Sequence, residues 1–138
     1  MPAIRLPTLL NNEYIDRGAA IRALKKVIAH GKDRIARGIS IMLFPEGTRI
    51  PVGKIGKFHK SGSMLAKSVN RPIIPIAHNA GHCWQRNSLV KKPGLVTVVI
   101  GEPIPTADRS VDEVNQAAFS WMEQTMKRLE PTSHDGSC

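Results

Sequence analysis

The stretch Ile39-Ser40-Ile41-Met42-Leu43-Phe44-Pro45-Glu46-Gly47-Thr48-Arg49 restricts the fold more than any other part of this chain. Its first six residues, five of them apolar, follow a helical pattern and a break at Gly38. A short apolar run so placed predicts a buried strand of an α/β sheet over residues 39–44. Pro45 has no N–H for a ladder and ends the strand, and Gly47 lets the backbone turn closely. Glu46, Thr48 and Arg49 then deliver a carboxylate, a hydroxyl and a guanidinium within four residues. Ligands of open α/β sheets sit at the carboxyl ends of strands, where this loop is expected. By composition alone it also fits an ordinary polar turn.

The 138 residues suffice for one domain with a core and are too few for two. Apolar runs stop at five or six residues, far short of the ~20 that span a bilayer. The opening Met1-Pro2-Ala3-Ile4-Arg5-Leu6-Pro7 lacks the apolar centre of a signal peptide. The chain is therefore expected not to cross a membrane by itself, although it can lie on one. Cys83 and Cys138 have no partners at metal-ligand spacing, which favours a reducing cytosol over a disulfide framework.

The net charge of +9 is unevenly placed. Residues 1–60 hold twelve Lys/Arg against four Asp/Glu, whereas residues 61–138 hold eight against seven. The basic surplus thus surrounds the 45–49 loop, where it would concentrate anionic ligands and attract anionic lipid surfaces. Nucleic acid is the rival partner, but the basic half offers one tyrosine and two phenylalanines for stacking and no nucleic-acid motif.

Residues 1–13 read as irregular, and Tyr14-Ile15-Asp16-Arg17 as a short β-prone piece. From 19 to 37, Ile21, Leu24, Val27, Ile28 and Ile35 recur at helical steps with basic residues between them; Asp16 is a nearby N-cap and Gly38 the stop. The basic side is either solvated or turned to a membrane, and the pattern does not separate the two. Gly31 costs this helix about 1 kcal/mol relative to alanine. The glycine- and lysine-rich connection 50–60 fits an anion-binding rim, a mobile flap or a plain surface loop. A short helix is expected from a Ser61 cap to Val69. Strands follow at 73–77, with Pro75 marking an edge or bulge, and at 95–100. Ser110-Val111-Asp112-Glu113 has the form of a capping box. Val114, Ala118, Trp121, Met122, Thr125 and Leu129 mark the amphipathic helix it opens. Residues 131–138 form a polar tail. Gly81 between His78 and His82 argues against a metal site with Cys83, and none is expected.

Phe44-Pro45-Glu46-Gly47-Thr48-Arg49 resembles the third motif of the glycerolipid acyltransferases, the family that includes 1-acylglycerol-3-phosphate acyltransferase. Ile15-Asp16-Arg17 is similar to the end of the second motif, and Ile73-Ile74-Pro75-Ile76-Ala77 to the fourth. The resemblance implies an α/β fold, a mixed sheet flanked by helices, over residues 14–130. It also implies that Glu46, Gly47, Thr48 and Arg49, with Arg17 and more loosely Lys60, bind the phosphate-bearing acceptor. Pro75 would lie on the acyl-donor side. An arginine fork suits that task because it meets phosphate oxygens in a bidentate way that lysine cannot copy.

The family's first motif, His-x-x-x-x-Asp, carries its catalysis, with the histidine as the base that activates the acceptor hydroxyl. Five residues after His30, His59, His78 and His82 stand Ile35, Met64, Cys83 and Asn87, and no residue lies five beyond His134. No catalytic residue is therefore assigned. The chain is expected to be the C-terminal part of an acyltransferase that lacks its N-terminal portion, residues 1–13 being a remnant. Alone it is expected to be inactive and peripheral on the cytoplasmic side of a membrane. Lysophosphatidic acid and an acyl-CoA or acyl-carrier protein donor are the expected substrates, with no cofactor. The alternative is a noncatalytic module that binds anionic lipid or phosphate.

Overall fold

The computed structural model describes residues 17–85 and 87–129. The N-terminal remnant, Tyr14-Ile15-Asp16 and the polar tail lie outside the described residues. Among the described residues the regular structure is three helices and a two-stranded sheet: α1 (Arg17–Ala36), α2 (Ser61–Ser68), β1 (Ile76–His78), β2 (Val98–Ile100) and α3 (Val111–Leu129), with one 3₁₀ turn at Ala80–His82. The fold is α/β, and among the described residues the sheet is a single antiparallel pair, Ile76 opposite Ile100 and His78 opposite Val98.

Helix α1 stops where a left-handed residue becomes necessary. Gly38 has φ 75°; its N–H donates to Ile35 O at 3.0 Å, and the Ile39 N–H donates to Arg34 O at 3.0 Å. These two bonds satisfy carbonyls that the helix end would otherwise leave open, a Schellman termination. Arg17 is the first residue of this helix rather than part of an extended piece, a correction to the β-prone reading. Leu24, Val27, Ile28 and Ile35 are half-buried, and α1 packs on α2. Helix α2 ends in the same manner, with Asn70 at φ 49° and the Arg71 N–H on Ala66 O at 3.0 Å.

Two expectations about elements need correction. Residues 39–44 form no strand: they carry no regular secondary structure and have no ladder partner among the described residues. Their apolar character calls for neighbours on both sides, and without them Met42 and Phe44 are 73% and 69% exposed. Nor does Ser61 cap α2. Lys60 occupies that position with helical φ and ψ and no side-chain hydrogen bond, so its carbonyl accepts from Met64 N at 2.9 Å and Ser61 falls inside the first turn.

The strands at 73–77 and 95–100 shorten to β1 and β2 for a physical reason. Pro75 cannot donate, so pairing before it is reduced to a bridge between Ile73 and Ile104, and Pro75 contributes only its carbonyl, which accepts from Gly101 N at 2.9 Å. Residues 95–97 lack a paired run opposite them, though the Asn79 side-chain oxygen accepts from Thr97 N at 2.7 Å. Ala77 is buried on the β1 that packs against α3. By the register, Ile76, Ile100 and Val98 share the other face and are exposed.

Helix α3 organises the core. Its capping box forms in full: Ser110 N donates to the Glu113 carboxylate at 2.7 Å and Glu113 N to Ser110 Oγ at 3.2 Å. Those bonds, helped by Arg109 and Lys67, hold the Glu113 carboxyl below its ordinary range. Val114 and Thr125, three turns apart on one stripe, are fully buried. The Trp121 ring lies against the backbone of Gly101, so close that a Cβ there would stand 2.5 Å from it. Ser63 of α2 donates to the Asn115 side-chain oxygen of α3 at 3.2 Å, and Lys67 hydrogen-bonds to Arg109 O just before α3, which ties α2 to the start of that helix.

Candidate functional site

After residues 39–44 the chain turns sharply and returns. Gly47 takes φ 67°, a conformation that side chains rarely adopt, and its N–H donates to Phe44 O at 3.0 Å. The His59 N–H donates to Pro45 O at 2.7 Å, so residues 45–59 form a loop with joined ends. Glu46 braces it from inside, its carboxylate accepting from Gly56 N at 2.8 Å. Phe58 anchors the loop to α3 by an edge-to-face contact with Phe119, ring centroids 5.3 Å apart and planes at 88°. The connection 50–60 is thus pinned at three points, by Glu46, His59 and Phe58.

The structure separates the residues that the sequence grouped. Gly47 makes the turn, and the His59 ring lies against it, 3.3 Å from the position of an added Cβ. Thr48 and Arg49 are exposed beyond the turn. Lys60 is engaged elsewhere, in an ion pair with Asp112 at the start of α3. Exposed pairs of that kind contribute about 0–1 kcal/mol, so Lys60 is held loosely. Pro75 is buried at the entry to β1. Arg17 begins α1, and nothing beyond that backbone position is described.

Arg49 does not stand alone. Its guanidinium carbon lies 5.3 Å from the centroid of the Trp84 ring, and the Lys91 ammonium lies 4.6 Å from the same ring. Sequence reasoning missed both partners. Trp84 and Lys91 sit at no fixed spacing from the 45–49 loop, and only the folded chain brings them to it. Among the described residues no carboxylate pairs with Arg49 or Lys91. Arg49 of this loop and Lys91 of a separate segment are thus two cations, uncompensated among the described residues, beside one aromatic ring, a composition suited to an anion with several oxygens.

Elsewhere, a cavity of about 250 Å³ lies between Gly53, Lys54 and Ile55 and the α3 residues Phe119, Glu123 and Met126. It contains no residue of the 44–49 turn. Among the described residues no three His, Cys, Asp or Glu side chains are grouped to hold a metal ion; the His78 Nδ1 accepts from Ala80 N at 3.3 Å. No described helix is long and apolar enough to cross a membrane.

Residues 5–79 match the family described as Acyltransferase. The chain is 40% identical over 126 residues to the 1-acyl-sn-glycerol-3-phosphate acyltransferase of Pseudomonas aeruginosa, covering 89% of this chain and 49% of that protein. It is 33% identical over 115 residues to the protein of that name from Cocos nucifera, covering 80% of this chain and 36% of that one. In structure it is similar to the crystallised 1-acyl-sn-glycerophosphate (LPA) acyltransferase PlsC from Thermotoga maritima, with a TM-score of 0.69 and 27% identity over 85% of this chain and 48% of that one. The chain thus spans half or less of the length of these relatives. The match over residues 5–79, more than half of its length, takes in the whole 44–49 turn, and the chain belongs to the acyltransferase family.

Proposed function

We propose that this chain is the acceptor-binding part of an enzyme that transfers an acyl group to 1-acyl-sn-glycerol-3-phosphate, with acyl-CoA or acyl-carrier protein as donor. The observation that carries the proposal is Arg49, an exposed guanidinium at the end of the Phe44-Pro45-Glu46-Gly47-Thr48-Arg49 motif with no carboxylate partner among the described residues. In this reading Gly47 shapes the turn, Glu46 holds the loop closed through Gly56, and Arg49 grips the acceptor phosphate. Arg17 and Lys60 are the further cations that the family resemblance assigns to the acceptor, and Pro75 shapes the donor side.

The reaction needs the acceptor hydroxyl oxygen to attack the thioester carbonyl carbon. The hydroxyl proton passes to a base, the C–S bond breaks, and the thiolate leaves and is protonated. Within these 138 residues no histidine has an aspartate five positions on, so the base is assigned to an N-terminal part of the same protein. The phosphate end of the acceptor, held here, fixes the distance of its hydroxyl from that base. The basic surplus of residues 1–60 would keep the protein peripheral on the anionic cytoplasmic face of a membrane.

The same missing pair supports a second reading, a noncatalytic module for anionic lipid or phosphate. The two readings part in an acyl-transfer assay with labelled lysophosphatidic acid. The chain alone should be inactive, since loss of a positioned base removes a factor of roughly 10²–10⁴. Joined to the N-terminal half of the Pseudomonas aeruginosa relative, it should transfer acyl groups, and Arg49→Ala should then raise KM for the acceptor. A folded fusion that binds lysophosphatidic acid without acylating it would favour the noncatalytic module.

A further inference from the structure

Two cations from separate loops converge on one indole. Arg49 approaches the Trp84 ring to 5.3 Å and Lys91 to 4.6 Å. The segment bearing Trp84 and Lys91 is built to hold that ring still. Lys92 N donates to Cys83 O at 2.8 Å, closing the segment, and the indole Nε1 donates to Ser88 O at 2.8 Å. Ser88 Oγ donates in turn to Val90 O at 2.9 Å. With its N–H occupied at the edge, the indole is left to present its face to cations.

The arrangement is electrostatically incomplete. The negative face of a ring attracts each cation, but the two cations repel each other and no carboxylate compensates them among the described residues. A bound anion that reaches both would offset the repulsion. A phosphate monoester carries about −1.5 to −2 charges near neutral pH and three acceptor oxygens. Such a group has oxygens enough for a guanidinium fork on two of them and for an ammonium on the third.

We propose that Trp84 is a positioning residue that aims the Arg49 guanidinium at the acceptor phosphate, and that Lys91 is a second cationic contact to the same phosphate. The proposal rests on Arg49 as the phosphate fork. Both residues lie beyond the 5–79 segment that matches the family, so they add a wall to the site that the matched motif does not contain. A ring under a guanidinium restricts its plane, and a bidentate contact depends on that plane. Trp84 therefore acts through Arg49, whereas Lys91 acts on the ligand directly.

The test is calorimetric titration of the full chain with short-chain lysophosphatidic acid, the matching monoacylglycerol, glycerol 3-phosphate and inorganic phosphate. Trp84→Leu should weaken binding of the phosphorylated lipid about two- to fivefold, the range of an exposed cation–π contact, and Trp84→Phe should largely restore it. On an Arg49→Ala background Trp84→Leu should have a smaller effect than on the parent, leaving only what the ring does through Lys91. Lys91→Met should weaken binding about tenfold and retain its effect on that background. Lys91 is an exposed side chain, so this arm does not depend on how the fold tolerates Trp84→Leu. Parental affinity in Lys91→Met, or in Trp84→Leu with parental far-UV circular dichroism, would overturn the inference while Arg49→Ala still weakens binding. Parental affinity in Arg49→Ala, or no phosphate-dependent binding by the parent, would overturn the reading on which it rests. Tightest binding of inorganic phosphate would overturn the acceptor assignment and give the site to the free anion.

Discussion

Leu65 of α2 rests on the bare backbone of Gly31 in α1: a Cβ at Gly31 would stand 2.6 Å from Leu65 Cδ2 and 2.8 Å from Cδ1. Both residues are buried, and this contact lies where the two helices meet. Gly31→Ala should therefore destabilise the chain, although alanine favours an open helix by about 1 kcal/mol. Overpacking of a well-filled contact costs about 1–3 kcal/mol, which leaves a net loss of about 1 kcal/mol. On a Leu65→Ala background the same change should become neutral or stabilising. Chemical denaturation of the four variants checks this, and a stabilised Gly31→Ala single variant would show that the helices do not meet there.

Gly31 also shows why part of the fold was illegible in the sequence. Helix propensity treated it as a local defect, whereas its use is a contact with a residue far along the chain. Features closed within a few residues read correctly: the Gly38 stop, the Ser110–Glu113 box and the stripe of α3 each depend on neighbours in sequence. Residues 39–44 misled because an apolar run signals a need for burial without naming what supplies it. Ser61 misled because a serine before a helix is a cap only when its backbone is still non-helical. Of the site, the Phe44–Arg49 motif was legible. Trp84 and Lys91 were not, because no periodicity links them to Arg49.

Glu46 should act on binding through the loop and not through the ligand. Its carboxylate takes the Gly56 N–H, a hydrogen bond to a charged group worth about 1.5–3 kcal/mol. Glu46→Gln keeps an acceptor at that point and should retain most of the affinity for phosphorylated lipid. Glu46→Ala should loosen residues 46–56, raise amide exchange at Gly56 and weaken binding severalfold. Equal exchange at Gly56 in parent and Glu46→Ala would remove the bracing role.

The capping box gives α3 an acid-sensitive start. The Glu113 carboxyl is held below its ordinary range, chiefly by the Ser110 N–H and then by the Ser110 hydroxyl. A carboxyl with a depressed folded pKa contributes its full stability above the unfolded pKa and loses it as pH falls through the folded value. The parent should therefore exceed Glu113→Gln in stability at neutral pH, and the gap should close on acidification below the usual carboxylate range. Thermal melts of both proteins across that range measure it. A gap that does not change with pH would assign the effect to side-chain shape.

The most direct measurement of the central claim is binding of lysophosphatidic acid, and of the same lipid without phosphate, to the parent, Arg49→Lys and Arg49→Ala. A bidentate, charge-assisted grip makes the fork matter as well as the charge. Arg49→Ala should lose about 1.5–3 kcal/mol of affinity for the phosphorylated lipid, Arg49→Lys should recover only part of that, and the lipid without phosphate should not distinguish the three. Equal affinity of Arg49→Lys and the parent for lysophosphatidic acid, falling smoothly with salt in both, would contradict the account and reduce Arg49 to one charge in a general basic field.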